Sequence, residues 1–211
     1  MGVVAPNGVG LTEFEQSLKT GKSGISFLPE LKSKNFGCCV AGVPQVPESL
    51  INDTFSPLQL RNFSSSGILY GCIAGRSAWH DAGLKINDEN PDYDSGCIFG
   101  AGASGTEKMA EVADKVASGN IKRLSSNTVA QTMTSGISAY LSGMIGLGNQ
   151  VTTNSSACAT GTESILMSFE RIQSGKATRM IAGSCSDHGP HLWGPFDALR
   201  VLTRKHADEP E

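Results

Sequence analysis

Two short apolar runs constrain this chain more than any other feature. SGCIFGAG at 95–102 lies between glycines, and TRMIAGSC at 178–185 ends a stretch capped by Gly175. Each is long enough for a buried strand and too short for a spanning helix. SGCIFGAG turns straight into a helix expected from about Thr106 to Ala117. A small-residue helix follows within 125–149, with Met133, Ile137 and Leu141 on one stripe. QVTTNSSA (150–157) is β-prone. The next helix carries Cys158 near its start and runs to about Ser174, with Ile165, Phe169 and Ile172 as its buried face. Strands alternating with helices place the chain in the α/β class.

The N-terminal third is less periodic. Thr12 and Glu15 form a capping box ahead of a short helix closed by Gly21. Residues 22–56 hold several prolines and short apolar pieces, which predicts loops and an edge strand. Residues 57–83 carry helical periodicity through Leu69, Ile73, Trp79 and Ala82, ending at Gly83. A short helix near 196–201 and a polar tail close the chain.

Twenty-five glycines in 211 residues imply many close backbone approaches in a folded chain. The formal net charge is −3, and no Lys/Arg cluster forms a stripe, so nucleic acid is excluded as the expected partner. No apolar run approaches the roughly 20 residues that span a bilayer, so no membrane partner is expected. The opening MGVVAPNGVG has neither a basic nor a long apolar region, so it does not read as a signal peptide. The six cysteines form no CxxC pair and read as reduced thiols of a cytoplasmic protein.

Three constellations carry possible chemistry. GAGASG, Gly100 to Gly105, matches G-x-G-x-x-G between a strand and a helix. No strand with an acidic end follows at the required distance, so it reads as a tight turn where other backbone comes close. Cys185, His188 and His191 give C-x2-H-x2-H without a fourth ligand, which reads as a loop at a strand end, and no metal site is expected. His80 and His206 read as surface or internally satisfied residues. Cys158 sits where a strand turns into a helix, so the unpaired N–H groups and positive dipole end favour a thiolate and an oxyanion. Its neighbours Ser155, Ser156, Ala157, Ala159 and Gly161 are small enough to admit a carbonyl. The residues leave two readings open, a nucleophile or a small buried hydrophobe.

Here a resemblance enters. SSACATGTESILMSFERIQSGKATRMIAG is similar to the active-site segment of β-ketoacyl-[acyl-carrier-protein] synthases, of the thiolase-like superfamily. GVVAPNGVGLTEFEQSLKTGKSGI, AWHDAGL, CIFGAGASG and FDALRVLTRK resemble further motifs of that family, so the match covers nearly the whole chain. The resemblance implies that Cys158 takes an acyl group as a thioester, which then condenses with a malonyl group after loss of carbon dioxide. It implies acyl carrier protein as partner, substrates carried on phosphopantetheine and no further cofactor. A dimer with itself or with a synthase-like paralogue is also implied. Ala103 falls where the family's acyl tunnel meets the dimer partner, leaving room for a long or rigid chain. Phe196 falls near the pocket-gating aromatic. Arg200 falls where a basic residue docks the carrier protein.

The chain also departs from the pattern. The family's first strand, and the C-terminal half with its two histidines and lysine, have no match here; His188 and His191 lie too early to replace them. The expected fold is therefore one layered half of an αβαβα architecture, a truncated N-terminal domain over 1–211, with exposed sheet edges and an uncovered apolar face. Alone, such a half is expected to be incomplete for condensation. Three rivals stand beside this reading: a non-catalytic chain-length factor, a carrier-protein-binding module, and a cysteine hydrolase with a nearby histidine base.

Overall fold

The computed structural model describes residues 1–86 and 89–210. A hairpin of β1 (Val4–Ala5) and β2 (Gly8–Val9) leads into α1 (Leu11–Thr20). The capping box is not formed. The helix begins two residues earlier than its motif requires, Gly10 is its N-cap, and the Glu13 carboxylate instead accepts from the Val9 N–H at 2.9 Å. Residues 22–56 are more ordered than their sequence suggests. They give β3 (Ile25–Phe27), α2 (Pro29–Ser33), β4 (Val40–Gly42) antiparallel to β3, and α3 (Glu48–Thr54). The helical stretch after residue 56 breaks into α4 (Pro57–Leu60) and α5 (Ser66–Asp81).

β5 (Ser95–Ala101) is buried at every position. The chain then forms α6 (Thr106–Ala117), a 3₁₀ turn at Ile121–Arg123, α7 (Thr128–Thr132) and α8 (Gly136–Ile145). The single helix expected within 125–149 is thus two. The chain reverses so tightly before α8 that a Cβ on Gly136 would lie 2.1 Å from the Ala130 carbonyl oxygen. Met133 falls at the break and is exposed, while Ile137 and Leu141 are fully buried. The β-prone run yields only β6 (Val151–Thr152). α9 (Thr160–Gln173), β7 (Arg179–Cys185) and α10 (Pro190–Ala198) complete the elements. α10 starts and ends earlier than the expected helix at 196–201, because Pro190 suits a first turn and Arg200 turns left-handed at φ 60°.

β6, β5 and β7 form a parallel sheet in that order, with Ser95 opposite Arg179 and Ala101 opposite Cys185. The period of two sends alternate β5 residues to opposite faces. Cys97 and Phe99 enter a core with Ile68, Cys72 and Ile73 of α5 and Ile137, Leu141 and Ile145 of α8. Gly71 and Gly75 let α8 approach α5; a Cβ there would lie 2.5 Å from Ile137 and 2.6 Å from Leu141. Gly100 faces the other way, towards Thr160 of α9. The result is three layers: α5 with α8, the sheet, then α9.

α9 corrects the expected burial. Ile165, Phe169 and Ile172 are 61%, 58% and 43% exposed, and the buried positions are Thr160, Ser164 and Ser168. Small residues face the sheet because the helix lies close to it. The apolar stripe faces outward. The uncovered apolar face expected from a half-fold is therefore that of α9. Among the described residues no helix is long and apolar enough to cross a membrane.

Candidate active site

The three parallel strands all point their carboxyl ends the same way. In open α/β sheets that end forms the binding crevice. Here Ala101 runs into the Gly102–Ala103 turn, β6 runs into the segment carrying Cys158, and β7 runs through Cys185 to His188. These three exits line one cavity of about 850 Å³, within the range of ligand pockets. Cys158, Ala103 and Phe196 all border it. Arg200 does not; it lies in a surface recess with Asp197 and Arg204.

Local chemistry fixes the Cys158 turn. Cys158 is the middle residue of a 3₁₀ turn, Ala157–Ala159, immediately before α9. Ala157 sits at φ 49°, a left-handed conformation unusual for a residue with a Cβ. Side chains hold it there. The Thr160 hydroxyl donates to the Ala157 carbonyl at 2.7 Å and accepts from the Ser156 N–H at 2.8 Å. Asn154 donates to the Thr160 carbonyl at 2.9 Å and accepts from the Ser164 hydroxyl at 2.7 Å. The Ser156 hydroxyl also bonds the Glu163 carboxylate. Gly100 makes the approach possible, since a Cβ there would lie 2.1 Å from the Thr160 methyl. GAGASG is thus a close-approach turn beneath the cysteine.

Cys158 is the only exposed thiol of the six. Burial pushes the Cys97 and Cys185 thiols up to about 12, and Cys72 well above the ordinary value. Those three remain protonated at neutral pH, whereas Cys158 meets solvent at the positive end of a 14-residue helix.

Two features of the cavity escaped the sequence. Asp187 is 5% exposed, yet its carboxylate is fully engaged. It accepts from the Gly67 N–H at 2.7 Å and the Thr106 N–H at 2.9 Å, in the first turns of α5 and α6. The Ser65 and Thr106 hydroxyls add contacts at 3.3 and 3.4 Å. One carboxylate thereby caps two helix N-termini and ties both to the end of β7. Its only local signal is an acidic residue just past a strand end. The second feature is Tyr70, whose hydroxyl lies 2.9 Å from His188 Nδ1 with the rings stacked. Burial and then Asp187 push the Tyr70 phenol up to about 12, so it stays protonated. The C-x2-H-x2-H residues diverge: His188 bonds Tyr70, His191 Nδ1 bonds Glu107 at 2.6 Å, and Cys185 stays on its strand. His80 is exposed, and His206 lies 3.2 Å from Glu209.

The family model of the β-ketoacyl synthase N-terminal domain matches residues 1–210. This chain belongs to the β-ketoacyl synthase family. It is 29% identical over 211 residues to 3-oxoacyl-[acyl-carrier-protein] synthase 1 of Haemophilus influenzae, covering all of this chain and 51% of that protein. A β-ketoacyl synthase from Burkholderia phymatum superposes with a TM-score of 0.84 at 23% identity, over 99% of this chain and 50% of that one. A type II polyketide ketosynthase, solved in complex with its acyl-carrier protein, superposes at 0.78 and 23% identity, over 96% and 48%. The fold is that of the thiolase-like synthases, and the chain spans about half the length of the relatives it matches.

Proposed function

We propose that this chain is the nucleophile-bearing half of a β-ketoacyl-[acyl-carrier-protein] synthase, with Cys158 accepting the acyl group. The observation that carries this is one exposed thiol, on a strained turn, opening into a cavity at the carboxyl end of a parallel sheet. The Cys158 sulfur attacks an acyl thioester, the carrier thiol leaves, and the acyl group remains on the enzyme. The positive end of α9 favours the oxyanion formed on the way. The acyl-enzyme then meets a malonyl unit that has lost carbon dioxide, giving a β-ketoacyl chain two carbons longer.

In this reading the residues supplying decarboxylation belong to a second half of the fold, packed on the exposed stripe of α9. Substrates arrive on the phosphopantetheine of acyl carrier protein, and no other cofactor takes part. Ala103 and Phe196 border the acyl chain, and Arg200 with Arg204 offers a basic point for the acidic carrier protein. A second synthase-like subunit, a copy or a paralogue, meets the β6 edge, where Val151 is exposed. The free thiols suit a reducing, cytoplasmic setting.

The test is transfer from an acyl-[acyl-carrier-protein] donor, read by intact mass beside a Cys158→Ala control. An acyl-sized gain in the parent alone supports the reading. No gain from folded protein contradicts it, and stable carrier-protein capture without a gain moves the assignment to a binding module.

A further inference from the structure

Four rings border the same cavity as Cys158: Tyr70, His188, Trp193 and Phe196. Three of them form a continuous face. The Tyr70 and His188 rings stack with 5.7 Å between centroids and 26° between planes, and His188 meets Trp193 at 6.4 Å and 40°. Both separations lie in the range of interacting aromatic pairs. Elsewhere the lining is rich in small residues, Gly71, Ala74, Gly102 and Ala103 among them.

This face is built before any ligand arrives. The His188 backbone N–H donates to the Ser66 hydroxyl at 3.0 Å, and Asp187 beside it is pinned to α5 and α6. The Glu107 carboxylate holds the start of α10, accepting from the His191 N–H at 3.2 Å and bonding its ring. Trp193 lies in that same first turn, where its backbone N–H donates to the Gly189 carbonyl at 3.1 Å. The polar edge of the face is set as well. An imidazole nitrogen is a stronger acceptor than a phenol oxygen, so the Tyr70 hydroxyl donates to His188 Nδ1. The neutral ring then carries its proton on Nε2. Among the described residues that N–H has no protein partner, and His188 is half-buried at the cavity wall. The face therefore offers flat apolar surface and one hydrogen-bond donor, and His188 offers the cavity no base.

We propose that the cavity selects planar, conjugated acyl groups that carry an oxygen acceptor, stacked on the Tyr70–His188–Trp193 face and hydrogen-bonded to His188 Nε2. This deepens, and rests on, the reading of Cys158 as the acyl acceptor. The selectivity concerns shape and polarity. A flat group lays its π face on the rings, and it loses fewer rotors on binding than a saturated chain of equal size. An oxygen that reaches Nε2 satisfies a donor that a pure hydrocarbon would leave stripped of water.

Disulfide exchange tests this without enzymatic acylation. Purified chain is equilibrated with the symmetrical disulfides of 2-cyclohexylethanethiol, 2-phenylethanethiol or 2-(4-methoxyphenyl)ethanethiol, each in a 2-mercaptoethanol buffer. The Cys158 thiolate attacks one probe sulfur, a mixed disulfide forms, and the other sulfur leaves as a thiolate that takes up the proton. Intact mass gives the labelled fraction, with Cys158→Ala as control. The phenyl probe should exceed the cyclohexyl probe about three- to tenfold in exchange constant, the scale of one aromatic pair. The methoxy group should add roughly fivefold, the scale of one neutral hydrogen bond. Trp193→Leu should remove most of the aryl preference, and His188→Leu should remove the methoxy gain. Equal labelling by the phenyl and cyclohexyl probes would overturn the proposal, and so would a methoxy probe that gains nothing. Both are read on the parent protein, so neither depends on how a variant folds. Preferences unchanged in folded Trp193→Leu and His188→Leu, or failure of Cys158 to exchange with any probe, would overturn it too. Aryl preference with no acyl transfer from carrier protein would instead count against the enzymatic reading, whereas acyl transfer with no aryl preference would sink this inference alone.

Discussion

The two faces of the central sheet are built on opposite rules. Towards α5 and α8 the sheet presents Cys97 and Phe99, and the helices answer with Ile68, Cys72, Ile73, Ile137, Leu141 and Ile145. That face is a finished core. Towards α9 it presents Gly100, and the helix answers with Thr160, Ser164 and Ser168, leaving its apolar stripe outside. The first face supplies stability through area removed from water. The second uses small hydrogen-bonding residues to bring a helix start close to the sheet and hold one cysteine at the cavity. In the proposed reading, a second half of the fold covers that outward stripe.

This contrast can be broken at its strong side first. Leu141→Ala removes a fully buried side chain from the finished core and should cost about 2–5 kcal/mol, read by denaturant unfolding. Gly100→Ala should cost less, about 1–3 kcal/mol, by crowding the Thr160 methyl. Its sharper signature should be slower labelling of Cys158, because the added carbon displaces the turn that presents the thiol. A further effect is expected from alkali. Cys97 and Cys185 ionise near 12 in the fold but near the ordinary 9.0 when unfolded. A raised folded value means that their contribution is complete below pH 9 and is lost as pH rises towards 12. Melting temperature should fall across that window, and a Cys97→Ser, Cys185→Ser variant should lose part of the slope. The smallest effect belongs to the outer stripe. Phe169→Glu should change the stability of this chain by no more than about 0.5 kcal/mol, since the ring packs on little within it. A loss of several kcal/mol there would show that the stripe is part of this chain's own core.

Sequence reasoning reached the parts whose signal is local. β5 and β7 are legible as short apolar runs, α6 as the helix that follows directly on β5, and the Cys158 turn by a strand-to-helix junction rich in small residues. It failed where apolar was equated with buried. Ile165, Phe169 and Ile172 have the right spacing for a core face, yet the sheet requires small residues on the side that packs closely. Within 22–56 an edge strand was expected, but the pairing of β3 with β4 was hidden because three-residue strands show no period. The break after α7 depends on a backbone contact between Ala130 and Gly136 that no propensity records. Asp187 and the Tyr70–His188 pair join residues 81 to 122 positions apart. No window on the sequence contains both ends of those bonds.

The most direct measurement is to locate the acyl group. The chain is loaded from an acyl-[acyl-carrier-protein] donor, with and without prior treatment by one equivalent of iodoacetamide, and digested for peptide mapping. The account predicts acyl on Cys158 alone, and loss of acylation in proportion to carbamidomethyl at the same residue. Acyl groups on any other cysteine, or acylation that survives full alkylation of Cys158, would contradict it.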